Sequence, residues 1–258
     1  MSNENRLEKK YERLDLSSNL NNNNLRDLYT LKKSFKYVLE KYNENNDYSY
    51  IISQLKSIRQ ELIIQKIKDN FVIEVYEKSV ELSIENNDIP NFNVSISYLI
   101  NDLYPFIPNN NFIKFYRYYL IYNLIYDIKD LSVVLKTNNF KENKKELKDI
   151  LNIIKKKKKK NYIKLIVEIS KLKSEKEKKL FENYFPKIKL LSLILMCYGY
   201  FTTIPIKFIQ EKLLFKNEKT CVNFLKENNA ILDEEEKNFL CRNSIKNLLD
   251  NKLLIIVE

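Results

Sequence analysis

Histidine and tryptophan are absent from this 258-residue chain, and glycine occurs once. Glycine supplies the positive-φ conformations that hairpins and tight turns need. A large sheet protein is therefore excluded, and a mostly helical chain is expected. Asparagine tolerates the left-handed conformation better than most residues and is abundant enough here to take some turn positions. The three cysteines, Cys197, Cys221 and Cys241, are far apart and odd in number, with no CxxC pair. With no histidine to join them, neither a disulfide framework nor a Cys/His zinc site is expected. Reduced cysteines fit a nuclear or cytosolic home. The sequence also lacks a glycine-rich phosphate loop, a cysteine beside a base and a carboxylate pair of telling spacing. It predicts no catalysis, no cofactor and no metal. Apolar runs such as 190–196 are too short to span a bilayer, and the polar first ten residues predict no signal peptide.

What is present is apolar and basic. Hydrophobic residues make up 44% of the chain, enough for a sizeable core despite 31% charge. The length suits one large domain or two small ones. A net charge of +11 draws a chain toward phosphate, an anionic membrane or an acidic partner protein, unless its lysines only fill solvated helix faces. Heavy use of Lys, Asn, Ile and Tyr resembles AT-biased coding, which lowers the weight of any one lysine or asparagine run.

Residues 6–14 are read as a short charged helix, followed by an asparagine-rich link over 19–24. Helical periodicity begins at Leu28, with Leu31, Phe35, Val38, Leu39 and Tyr42 following at three- and four-residue steps. Residues 48–68 form a long helix striped by Tyr50, Ile51, Leu55, Ile58, Leu62 and Ile67. The helix over 71–85 turns Phe71, Val75, Tyr76, Ser79, Val80 and Leu82 inward. Pro90 opens the next, which carries Phe92, Ile96, Leu99 and Leu103. Residues 112–127 are aromatic most of the way round, which reads as packing between neighbours and not as a base-stacking platform. Shorter helices follow over 131–136, 144–156, 162–172 and 175–184. Helix after helix joined by short polar turns is the pattern of a helical-repeat superhelix, although the strict period of tetratricopeptide repeats is missing.

The last third changes character. Helices are expected over 188–198, 206–214 and 218–227, with Thr203 and Asn217 as caps and Pro205 near a first turn. Two β-like pieces, 230–232 and 238–241, flank the acidic turn 233–236. Three helices and a two-stranded wing are the order of a winged helix. Residues 245–249 then close it as a helix, and 253–257 form an apolar tail. The domain reading is an N-terminal segment with an asparagine-rich linker over 1–27, a helical-repeat domain over 28–186 and a winged-helix domain over 187–258.

In a winged helix the third helix and the wing approach nucleic acid. That makes Lys207, Lys212, Lys216, Lys219, Lys226, Lys237 and Arg242 candidates, opposed by Glu218, Glu227 and the acids at 233–236. The acidic wing tip argues for contact with the nucleic-acid backbone and against base reading. The run Lys155, Lys156, Lys157, Lys158, Lys159 and Lys160 is a second candidate, for phosphate or for nuclear import. Its alternative is a solvated helix end, and side-by-side like charges make it poor helix interior. Phe239, Cys241, Leu253, Leu254, Ile255 and Ile256 are candidates for partner contact. The tail either meets a partner or finishes the wing sheet of its own domain. Arg59, Gln60 and Glu61 form a polar triplet in an apolar-striped helix. It is expected to fix helix register, with Arg59 paired to Glu74 or Glu77 of the next helix.

Several stretches carry a family resemblance: Leu31-Lys32-Lys33-Ser34, QLKSIRQEL at 54–62, FVIEVYE at 71–77, and Asn86-Asn87-Asp88 followed by Asn91-Phe92-Asn93. The chain resembles the SAC-three/GANP family of PCI-type proteins, in the branch of leukocyte receptor cluster member eight and yeast THP-three. The family pattern is a Lys-Ser-Ile-Arg-Gln-Asp/Glu-Leu helix, then Phe-Thr-Val-Glu-Val-Tyr-Glu, then a Gly-Asp turn with Phe-Asn. This chain departs at Asn87, which replaces the usual glycine, at Ile73, and at Lys78 and Ser79. The match is specific over 28–104 and weaker at 208–224 and Cys241-Arg242. Its structural signature here is Ser57, Ile58, Arg59, Gln60, Glu61, Leu62, Tyr76 and Glu77. The resemblance implies a mainly α fold, a right-handed helical-repeat (TPR-like) superhelix capped by a C-terminal winged helix. It implies a non-enzymatic scaffold of a nuclear complex coupling transcription to mRNA processing, retention or export. The partners it implies are a second PCI protein of the PCID-two/CSN-twelve or THP-one kind and a small acidic DSS-one/Sem-one protein. RNA or DNA would be held with weak sequence preference on a basic winged-helix surface shared with the PCI partner, and no membrane is involved. The alternative is a structural subunit of another PCI assembly, such as the proteasome lid or an initiation-factor complex.

Overall fold

Aspartates at 27, 47, 69 and 88 start the first four helices. Helix α1 is Leu28–Asn45, α2 is Tyr48–Ile64, α3 is Asn70–Glu85 and α4 is Ile89–Tyr98. Each aspartate accepts a backbone N–H of its own first turn: Thr30 at 2.8 Å, Tyr50 at 3.1 Å, Val72 at 3.1 Å and Asn91 at 3.0 Å. Such a cap satisfies a donor the helix leaves open and places negative charge at its positive end, worth about 1 kcal/mol each. Asn46 (φ 51°) and Asn87 (φ 55°) take left-handed conformations in the connecting turns. Asparagine therefore does there what glycine does in most chains. Asp88 is tuned further. Burial pushes its carboxyl up, but hydrogen bonds from Asn91 and Tyr48 outweigh that and hold it below the usual range.

This computed structural model describes residues 7–13, 25–127, 143–200 and 202–254. The expected link over 19–24 and helix over 131–136 lie outside the described residues. Among those described, the chain is mainly helical, with one small two-stranded sheet near its C-terminus. Two compact units form, Met1–Tyr119 and Leu120–Glu258.

In the first unit each helix packs on the next, α1 on α2, α2 on α3 and α3 on α4. The fully enclosed core includes Leu31, Val38, Ile51, Leu55, Ile58, Leu62, Val75, Val80, Phe92 and Ile96. A π turn, Leu99–Leu103, extends α4, and α5, Phe112–Tyr126, begins here. Its Phe115, Tyr116, Tyr118 and Tyr119 are buried. They are core residues and offer no platform for a base.

The polar signature of α2 holds the N-terminal segment. Residues 7–13 are not helical, contrary to the expected short helix, because side chains of α2 and its neighbours take up their backbone groups. Lys9 N donates to Gln54 Oε1 at 3.0 Å, Gln60 Nε2 donates to the Glu12 carbonyl at 3.0 Å, and Arg26 donates to the Leu7 carbonyl at 3.2 Å. Beneath them Glu61 is 1% exposed and Arg26 6%. Glu61 Oε2 accepts from the Arg26 backbone N–H at 3.0 Å and from its Nε at 3.1 Å, while Lys9 Nζ sits 2.8 Å from Oε1. The remaining Arg26 nitrogens reach Ser34 at 2.8 Å and Ser57 at 3.1 Å. The network joins Lys9, Arg26, α1 and α2 through one carboxylate.

Arg59 corrects the expectation of an ion pair with Glu74 or Glu77. It points instead toward α4 and donates to Ser95 Oγ, with its guanidinium 5.5 Å from the centre of the Tyr76 ring. Glu77 is engaged elsewhere, accepting from Tyr104 Oη and Asn111 Nδ2, both at 2.8 Å. Tyr76 is wedged between Arg59 and Tyr98, whose ring it stacks on at 4.7 Å.

The second unit is built on α6 (Lys148–Lys158), α7 (Tyr162–Ser170), α8 (Glu175–Phe181) and α9 (Phe185–Tyr200). Helix α9 packs on α7 and on the last helix, α12 (Cys241–Leu249). Between them lie β1 (Thr203–Pro205), α10 (Ile206–Lys212), α11 (Glu218–Glu227) and β2 (Asn238–Leu240). Strands β1 and β2 are antiparallel, with Ile204 opposite Phe239. Two corrections follow. Thr203 is a strand residue and not a helix cap, since pairing with Leu240 holds it extended. The piece at 230–232 contributes only a bridge, Leu232 to Phe239. All three cysteines are buried. Burial pushes the Cys197 and Cys221 thiols up to about 12 and raises that of Cys241, which shares a hydrogen bond with Cys197.

Two outcomes are expected. Glu61→Leu strands the Arg26 charge in the core and lowers unfolding stability by roughly 3–5 kcal/mol in urea titration, whereas Arg26→Met with Glu61→Leu recovers much of the loss. Ellman's reagent at pH 8 labels none of the three thiols in the native chain, and all three react once the chain is unfolded, because the thiolate is the nucleophile and burial disfavours it.

Candidate nucleic-acid interface

The candidate surface is carried by α10, α11 and the turn between them. Buried Ile206, Ile209 and Leu213 set the inner face of α10, and Cys221 and Leu225 that of α11. Asn217 caps α11 through a reciprocal pair with Thr220, its Oδ1 accepting from Thr220 N at 2.8 Å. Leu214 turns the chain with φ 52°. This spacing leaves Lys207, Lys212, Lys216 and Lys219 all exposed. Lys212 lies 5.3 Å from the Phe208 ring. Among the described residues none of the four has a carboxylate within ion-pair distance.

The other candidates differ. Lys226 is paired with Glu236 and Lys237 with Glu235, the latter at 2.6 Å. The acidic turn thus neutralises two lysines of its own neighbourhood. Asp233 organises that turn. Hydrogen bonds from Asn238, by backbone at 3.0 Å and side chain at 2.7 Å, hold its carboxyl below the usual range. Arg242 is exposed in the first turn of α12.

The lysine run is not uniform. Helix α6 continues through it to Lys158, so Lys155, Lys156, Lys157 and Lys158 occupy its last turn. Cations there meet the negative end of the helix dipole, which offsets their mutual repulsion. Lys157 turns inward, 2.7 and 2.8 Å from the Asp127 carboxylate oxygens, donates to the Leu124 carbonyl and lies 5.6 Å from the Tyr184 ring. It is a structural lysine. Lys155, Lys158, Lys159 and Lys160 are exposed and Lys156 is half-buried. Lys160 adopts φ 53° past the helix end.

Sequence reading singled out Phe239 and Cys241 for partner contact, yet both are 0% exposed. They are core residues of the second unit, because β2 and the start of α12 turn them under the sheet. Leu253 and Leu254 are half-buried in a 3-10 turn, Lys252–Leu254, and not in a strand. Ile255 and Ile256 lie outside the described residues. Lys189 went unnoticed in the sequence. It sits on α9 with its Nζ 3.7 Å from the centre of the Phe215 ring, which in turn meets Phe224 at 5.3 Å. Burial lowers the Lys189 ammonium below its ordinary value.

Among the described residues no group of His, Cys, Asp and Glu is placed to hold a metal ion, and no helix is long and apolar enough to cross a membrane. Comparison with known proteins adds identity. Residues 1–89 match the SAC3/GANP family. The chain is 27% identical over 234 residues to a THP3 homolog of Schizosaccharomyces pombe, an alignment covering 90% of this chain and 58% of that protein. It is 28% identical over 233 residues to Protein THP3 of Saccharomyces cerevisiae, covering 86% and 48%. A leukocyte receptor cluster member 8 homolog of Xenopus laevis is 25% identical over 209 residues, covering 78% of this chain and 25% of that protein. The chain thus spans about half the length of the two yeast relatives. Over its first 89 residues the chain is thus similar to the SAC3/GANP family, and over most of its length to THP3-type proteins.

Proposed function

We propose that the chain is a non-enzymatic scaffold subunit of a nuclear complex that couples transcription to mRNA processing, retention or export. The family match and the THP3-type relatives support this role. In this reading residues 187–258 act as a winged helix. The order α9, β1, α10, α11, the Leu232 bridge and β2 supports it. The sequential packing of α1 on α2 on α3 on α4 supports a helical-repeat build for the preceding region. A second PCI-type protein, with a small acidic subunit, would complete the assembly.

One observation carries the nucleic-acid part: Lys207, Lys212, Lys216 and Lys219 are exposed on two helices packed together and the turn between them, with no carboxylate pairing them among the described residues. Four such cations grip phosphates without reading bases, with Glu218, next to Lys219, opposing them. The exposed lysines at 155 and 158–160 form a second, weaker basic stretch.

Fluorescence anisotropy with a single-stranded RNA tests the surface. If all four lysines neutralise phosphates, raising salt from about 50 to 200 mM weakens binding roughly fiftyfold, since each contact contributes a slope of about −0.7 for single strands. Changing the four lysines to glutamate abolishes that dependence without lowering the melting temperature. A flat salt response in the unaltered chain rules the surface out. Affinity purification from nuclei with mass spectrometry tests the role. Recovery of mRNA-processing partners supports it, and recovery of proteasome-lid or initiation-factor subunits overturns it.

A further inference from the structure

The first unit carries a groove of about 460 Å³ between α1 and α3, lined by none of the residues assigned above to nucleic acid. Phe35, Leu39 and Phe71 form its apolar surface, and Lys32 and Lys36 stand on the α1 side. Phe35 and Phe71 meet edge to face at 5.6 Å, so their rings are held in place. Both are at least nine-tenths buried in the unit's core, and the groove reaches only their outer edges. Leu39 is half-exposed. This volume accommodates one or two large apolar side chains.

The rim gives the groove its chemistry. Lys32 and Lys36 are one helical turn apart, at i and i+4, so both ammonium groups overhang the same side. Lys32 has no ion-pair partner among the described residues and lies 5.6 Å from the Phe71 ring. Lys36 has only Glu40 at 4.0 Å, with both side chains well exposed. The opposite wall differs, since Glu74 stands there, exposed and unpaired among the described residues. A nucleic-acid strand would bring phosphates against both walls and meet that carboxylate. A peptide has no such symmetry. It can place acids on one edge, apolar residues beneath and neutral or basic groups on the other edge.

We infer that the α1–α3 groove docks an acidic amphipathic peptide segment of a partner protein, with leucine- or phenylalanine-sized side chains on Phe35, Leu39 and Phe71 and carboxylates facing Lys32 and Lys36. This is helix-in-groove recognition with charge fixing the orientation. It is independent of the basic surface on α10 and α11, and the two fail separately.

A display library of random 16-residue peptides, selected on the full chain, tests it. The expected enrichment is for peptides pairing Asp or Glu with Leu or Phe at helical spacing. Synthetic versions of the selected peptides should bind Lys32→Glu/Lys36→Glu about tenfold more weakly, with an unchanged melting temperature because both lysines are exposed. Glu74→Lys should not weaken them. Leu39→Asp should weaken them as well, which places the apolar side chains in the groove. Enrichment of basic or purely polar peptides, equal binding to the Lys32/Lys36 variant, or no enrichment at all overturns the inference. So does displacement of a bound peptide by single-stranded RNA that still competes against the α10–α11 lysine variant, which would assign the groove to nucleic acid.

Discussion

A buried carboxylate organises the first unit. Glu61 sits in the middle of α2, inside a stripe of isoleucine and leucine, where an unpaired charge would cost several kcal/mol. It is tolerated because Arg26 meets it with backbone and side chain together, Lys9 covers its other oxygen, and Ser34 and Ser57 satisfy the guanidinium. Removing any one of these leaves the others short of partners. A network of this kind adds little net stability over an apolar core, but it restricts how α1, α2 and the N-terminal residues fit together. Gln54 and Gln60, one turn and a half apart on α2, then hold the backbone of residues 9 and 12. The polar signature of α2 is the negative image of the segment it holds.

Much of this architecture was legible in the sequence. Periodicity placed α1 to α4 because each has a regular apolar stripe, a direct consequence of one-sided burial; α5 was placed by its all-round aromatic character and α11 by its cap, Asn217. Polar pairing was legible only in part. That Arg59, Gln60 and Glu61 brace the helix followed from their setting. Their partners did not, because Arg26, Ser95 and Glu12 lie 35 to 48 positions away or in segments with no pattern of their own. Short strands were hardest. Thr203–Pro205 reads as a helix start, since threonine and proline suit both roles, and only the pairing with Asn238–Leu240 decides between them. Phe239 and Cys241 were read as candidates for partner contact for the same reason. With a three-residue strand, the face a side chain takes depends on its partner strand.

Net charge proved a poor guide until the charges were placed. The lysine run contains one residue, Lys157, that is bound on three sides, and neighbours that end in solvent. Near the sheet, the acids at 235 and 236 cancel Lys237 and Lys226, whereas Lys207, Lys212, Lys216 and Lys219 are exposed with no carboxylate pairing them among the described residues. Lys189 spends its charge on an aromatic face beneath the surface. Position on a helix, more than abundance, separates a lysine that braces the fold from one that can meet a phosphate.

The placement of residues 7–13 bears on how the protein can be cut. By periodicity the folded region opens at Leu28, and a version trimmed to that helix would look complete by every apolar criterion. It would lack Lys9 and Arg26, and so the two cations that make Glu61 acceptable in the interior. The domain starts earlier in the chain than its first helix does. Its boundary is set by a charge that must be matched.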